Sequence, residues 1–136
     1  MTAFKYKSMK KSVVSAYIVG LSIGLMITLL SIFLFAAVYM LSELAEYYNA
    51  VFATLSLIIG SYCGAAFTVS KINQNGFLNG IILGVLIFVS VFVVSFIVSG
   101  NSVSLTSVFH LVCCALSGGI SGIVRVNKEK NKKYLK

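Results

Sequence analysis

The chain has 136 residues, of which 59% are hydrophobic and only 10% charged, with a mean hydropathy of +1.00. A soluble domain carries about a quarter charged residues, and one this small exposes too much surface to hide so many apolar ones, so a water-soluble globular fold is excluded. The net charge of +8 comes from basic runs that flank apolar stretches, which favours a membrane surface over nucleic acid as the partner of those charges.

The chain opens on a basic segment, residues 1–12, with Lys5, Lys7, Lys10 and Lys11. From Ser12 to Ser42 there is no charge. That run is far longer than the roughly 7–15 apolar residues of a secretory signal, and no small-x-small cleavage site ends it. It predicts a retained transmembrane helix over 13–41, long enough to tilt, since about 20 residues span the hydrocarbon core. Glu43 and Glu46 follow, and then a second charge-free stretch that predicts a helix over 48–70, with Asn49 placed to cap its start. Between Lys71 and Arg125 no residue is charged, which is too long for one span. The turn-type cluster Ser99-Gly100-Asn101-Ser102 divides it into helices over 77–98 and 104–124. The predicted fold class is therefore an all-α membrane protein: a four-helix transmembrane domain over 13–126, then a basic tail over 127–136.

Lysine and arginine collect in short cytoplasmic segments. Four lysines precede the first helix, Lys71 lies in the second loop, and six basic residues end the chain, whereas the first loop has two glutamates and the third no charge. This alternation predicts both termini in the cytoplasm. It puts Tyr39, Tyr47 and Tyr48 at the outer interface, where amphipathic rings are favoured. The basic ends are expected to meet anionic lipid at the inner leaflet, where each cation contributes about 1 kcal/mol.

Every predicted helix carries small residues at three- or four-residue steps, which share one face. They are Ala16, Gly20, Gly24, Thr28 and Ser31 on the first, and Ser56, Gly60, Gly64 and Thr68 on the second. The third has Gly76, Gly80 and Gly84, and the fourth Ser107, His110, Cys114, Gly118 and Gly122. In lipid such faces let helix backbones approach closely. The glycine pairs fall in the half of each span nearer the basic ends. The other half carries Phe33, Phe35, Phe52, Phe88, Phe92, Phe96 and Phe109, which predicts a bundle tight at one end and splayed or Phe-filled at the other. Gly20/Gly24 with Gly60/Gly64 parallels Gly80/Gly84 with Gly118/Gly122, a pattern that suits two repeated helical hairpins.

Reactive chemistry is sparse. No carboxylate lies within a predicted span, which argues against ion-coupled transport through a buried acid. Small multidrug transporters share this length and span count but depend on a glutamate in the first helix, which is absent here. Cys63, Cys113 and Cys114 lie inside apolar stretches without metal-ligand spacing and read as small packing residues. His110 is the one side chain in the spans that titrates near neutrality. With no acid to orient it and no nucleophile beside it, it reads as a polar seam residue hydrogen-bonded to a nearby hydroxyl. No cofactor, metal site or catalysis is expected.

Asn75-Gly76-Phe77-Leu78-Asn79-Gly80 entering the third helix, and Gly118-Gly119-Ile120-Ser121-Gly122-Ile123 leaving the fourth before Asn127, carry a resemblance. With the four-span plan they look like the YrzE-like family of uncharacterised membrane proteins of Firmicutes, over roughly Val14 to Asn127. The resemblance implies a helical bundle in a bacterial plasma membrane and no particular mechanism. Two function classes remain. One is a non-enzymatic subunit or accessory factor that associates with a membrane-protein partner or with further copies of itself. The other is a small transporter or holin-like pore, which would need a polar stripe through the full thickness of the membrane.

Overall fold

A computed structural model describes residues 2–42, 47–72, 75–100 and 105–134. It contains four helices: α1 Thr2–Ser42, α2 Tyr47–Ile72, α3 Gly76–Ser99 and α4 Leu105–Tyr134. Each contains a stretch long and apolar enough to cross a membrane, and the protein is an all-α, four-helix, multi-pass membrane protein. Proline is absent from the chain, so nothing removes a donor from these ladders. In hydrocarbon every backbone N–H and C=O must be paired internally, which a continuous helix achieves. α3 stops where Gly100 adopts a left-handed conformation (φ 59°) and its N–H returns to the carbonyl of Phe96 at 3.0 Å.

The outer helices are longer than their apolar runs. α1 begins at Thr2, inside the basic segment, and α4 continues through the basic tail to Tyr134. Lysine and glutamate are good helix formers, and no glycine or proline interrupts either extension, so the helix started in the span propagates outward. Asn49 is the third residue of α2 and does not cap it. Glu43, Glu46, Asn101, Ser102 and the last two residues lie outside the described residues.

The helices alternate in direction, which brings the start of α1, the end of α2, the start of α3 and the end of α4 to one face, the basic end. α1 packs on α2, α3 on α4, and α2 on α4; α2 also touches α3, while α1 only grazes α3 and does not approach α4. α2 is thus the central helix. Burial is concentrated in the half of the bundle nearer the basic end and reaches just past mid-span at Ser31, Ser56, Leu57 and Phe88. Between Ser12 and Ser42 of α1 the buried residues are Ala16, Gly20, Gly24, Thr28 and Ser31, and none from Ile32 to Ser42 is buried. On α3 burial ends at Phe88. The far half holds aromatic rings instead, with Phe35 and Phe52 stacked at 5.2 Å and Phe88 and Phe92 at 5.7 Å. There α1 and α2 flank a cavity of about 220 Å³ lined by Ile32, Phe35, Tyr39, Asn49 and Phe52.

Candidate functional site: the interhelical seams

The seams set glycine against backbone or a threonine side chain: a β-carbon on Gly20 would fall on Thr68 Oγ1, and one on Gly60 on Thr28 Cγ2. Within the first hairpin Gly20 faces Gly64, and Gly24 faces Gly60. A Cβ added to Gly64 would lie 3.0 Å from the Gly20 carbonyl oxygen, and one on Gly60 would lie 3.0 Å from that of Gly24. One step nearer the basic end, the Thr68 hydroxyl lies 3.4 Å from the Ala16 carbonyl. The second hairpin is tighter. Gly76 abuts the carbonyl of Gly122, Gly80 that of Gly118, and Gly84 that of Cys114, all so close that no β-carbon fits between them. Contacts at this range let Cα–H groups meet carbonyl oxygens across the interface.

The two hairpins use the same register at three levels. Ala16–Thr68, Gly20–Gly64 and Gly24–Gly60 correspond to Gly76–Gly122, Gly80–Gly118 and Gly84–Cys114. A four-residue step along one helix is met by a four-residue step back along its partner. The hairpins then join through a side chain: Ile87 of α3 is fully buried, with Cδ1 pressed into the notch that Gly24 and Gly64 leave open. Leu21, Leu25 and Tyr17 of α1 pack around it with Ala65 and Leu83. Tyr17 also donates to Asn79 Oδ1 at 2.7 Å, tying α1 to α3 near the basic end.

All nine glycines on the predicted seams are therefore used inside one chain. The family model for "Protein of unknown function (DUF3792)" matches residues 13–124, nearly the whole of the four-span unit. The chain belongs to the DUF3792 family. No curated protein and no solved structure matches it. The stretch matched by DUF3792 includes every glycine seam and stops one residue short of Arg125.

In this DUF3792 chain α2 and α4, running parallel, are joined by a different chemistry. Ser117 donates to the Ile58 carbonyl at 2.9 Å and Ser121 to the Tyr62 carbonyl at 2.6 Å. Ser61 donates to Ile58 as well, at 3.1 Å. Toward the far end His110 Nε2 meets Thr54 Oγ1 at 2.8 Å. The Thr54 proton goes to the Ala50 carbonyl at 2.8 Å, which makes His110 Nε2 the donor of that pair. At the basic end Arg125 Nε donates to Ser70 Oγ. Interhelical hydrogen bonds in membranes contribute about 0.6 kcal/mol each on average. Among the described residues no buried side-chain nitrogen or oxygen lacks a partner.

The glycine face of the fourth helix, Ser107, His110, Cys114, Gly118 and Gly122, includes His110, whose expected hydroxyl partner is Thr54, but passes over the rest of the line that bonds to α2. Ser117, Ser121 and Arg125 recur every four residues, one place ahead of that glycine face. That recurrence was the available signal. Cys114 is buried and Cys63 and Cys113 half-buried, all as free thiols. No group of three or more metal-ligating side chains gathers among the described residues.

Proposed function

We propose that this protein is a non-enzymatic subunit or accessory factor of a larger membrane assembly and acts by helix–helix association. The observation that carries this reading is the division of the bundle into two halves. The half at the basic end closes on itself through glycine and hydroxyl contacts. The far halves of α1, α3 and α4 present Phe33, Val94, Ile97 and Phe109 to their surroundings. A rigid stem with splayed apolar ends is suited to receive a partner's transmembrane helix or a second copy. The positive-inside rule puts the basic end in the cytoplasm, and the glycine motifs support membership of the YrzE-like group of Firmicutes, hence a bacterial plasma membrane.

This orientation predicts that reporter fusions after Lys71 and at the C-terminus read cytoplasmic, while fusions near Glu46 and Asn101 read external. A cytoplasmic signal at Asn101 would sink the four-span orientation. The association reading is tested by photo-crosslinking side chains introduced in native membranes. At Val94 or Phe109 they should capture one recurrent partner or a second copy. At Ile18 and Ile120, which are equally exposed but lie in the closed half, they should capture nothing recurrent. Indistinguishable patterns from the two halves would refute it.

The α2–α4 hydroxyl line favours a second reading, a small transporter or pore, because it runs from His110 to Arg125. Its hydroxyls are spent on backbone carbonyls, which supports adhesion over conduction. Liposomes containing the protein should accordingly show no specific ion or solute flux, and His110→Ala should leave partner capture intact. A robust flux that His110→Ala abolishes would establish the transporter.

A further inference from the structure

The eleven cations of the chain include one arginine, Arg125, and it is the first charged residue after the charge-free run that ends at Val124. Its side chain is not loose. Ser70 on α2 donates its proton to the Ala66 carbonyl at 2.6 Å, which leaves the hydroxyl oxygen to accept from Arg125 Nε. That bond engages Nε and leaves both terminal amino groups outside it, held as a fork at the end of the charge-free run of α4. The next residue on α2 is Lys71, exposed, with its ammonium 5.5 Å from the centroid of the Phe67 ring. This contact holds a second positive charge on the residue next to Ser70, against an exposed aromatic ring. Lys128, also exposed, follows Arg125 by three residues and shares its face of α4. The carboxylate within one turn is Glu129, so three cations oppose one anion.

We propose that Arg125, Lys71 and Lys128 form a headgroup site for an anionic glycerophospholipid, built where α2 and α4 emerge together at the basic face. A planar fork binds a phosphate through two parallel hydrogen bonds, and ammonium groups add point charges around it. In the four-span reading the end of the charge-free run lies at the level of the headgroups, so the phosphate that reaches the site is a lipid's. Beyond Val126 the tail of α4, Asn127 to Tyr134, has no apolar face on which to lie flat in the interface, so lipid selection rests at the root of that helix. The proposal deepens the membrane-subunit reading by naming a lipid partner. It is tested on the isolated chain, so its failure would leave the association reading standing.

The full chain in nanodiscs of phosphatidylcholine doped with spin-labelled phosphatidylglycerol measures the association of the anionic lipid relative to the zwitterionic one. Arg125→Gln and Lys71→Gln should each lower that ratio about fivefold, and Arg125→Lys, which keeps the charge but loses the fork, should also lower it. Ser70→Ala should lower it while leaving the net charge untouched. Lys132→Gln, further along the α4 extension, should not change it. Lys71 serves as the second variant if Arg125→Gln does not fold. Equal losses at Lys132 and Arg125 would mean diffuse surface charge and overturn the site, as would no loss at any position. Displacement by soluble inorganic phosphate at unchanged ionic strength would replace the lipid with a free anion and overturn it too.

Discussion

Replacing Gly80 with alanine should cost the bundle about 3 kcal/mol, the upper end of what overpacking a tight interior costs. The new β-carbon would fall on the carbonyl of Gly118, which is helix backbone and cannot move without separating α3 from α4. The same holds for Gly122 against Gly76, and leucine at either site should prevent folding altogether. Gly119 is the internal control. A β-carbon there meets side-chain atoms alone, Ile81 Cγ1 at 3.0 Å and Phe77 at 3.1 Å, which can give way. Alanine also gains about 1 kcal/mol of helix propensity over glycine, so Gly119→Ala should be neutral or slightly stabilising. Thermal unfolding in detergent, followed by circular dichroism, separates the two. Equal losses at Gly80 and Gly119 would show that α3 and α4 do not meet through the Gly80–Gly118 contact.

The second large effect is expected at Ile87. Its side chain fills the notch over Gly24 and Gly64, carrying α3 onto the first hairpin's seam. In lipid the transfer term for an apolar side chain is small, because the surroundings of the separated helices are themselves apolar. What remains is the cavity, at about 24 cal/mol per Å³ left unfilled, so Ile87→Ala should lose roughly 2 kcal/mol. Ile82→Ala, half exposed on the opposite side of α3, should lose nothing measurable. The notch geometry makes a sharper demand. Gly24→Ala places its β-carbon against Ile87 Cδ1, so Ile87→Val, which removes that atom, should recover part of the loss. The remainder is set by the Gly60 carbonyl at 3.2 Å, which the valine does not relieve. Strictly additive losses in the double variant would place Ile87 elsewhere.

The number of helices was legible because hydropathy and length act locally. Thirty-one residues from Ser12 to Ser42 without a charge admit no other solution in a bilayer. The small residues were legible for a similar reason: Gly20 and Gly24, or Gly80 and Gly84, recur at the period of a helix face. The helical course of both basic ends was not. Lysine clusters read as solvated segments, and only their continuity with a helix already formed decides that Thr2 and Tyr134 belong to α1 and α4. Asn49 misled for a related reason, since a capping residue matters only where a helix starts, and α2 starts two residues earlier.

Taken alone, the amino-acid order determined that this protein crosses a membrane four times, and that each helix has one face narrow enough for another backbone to touch. It also determined that the basic charges gather at one end, because composition and period are properties of a segment by itself. Which face meets which was left to the tertiary structure. All four helices offer comparable small faces, and a short-range pattern does not rank its partners. The fold alone brought Ser117 and Ser121 to the carbonyls of Ile58 and Tyr62, seated Ile87 between Gly24 and Gly64, and set Arg125 on Ser70 across 55 residues of chain. Those pairings depend on how two hairpins dock, and that is decided by the summed fit of surfaces far apart in sequence.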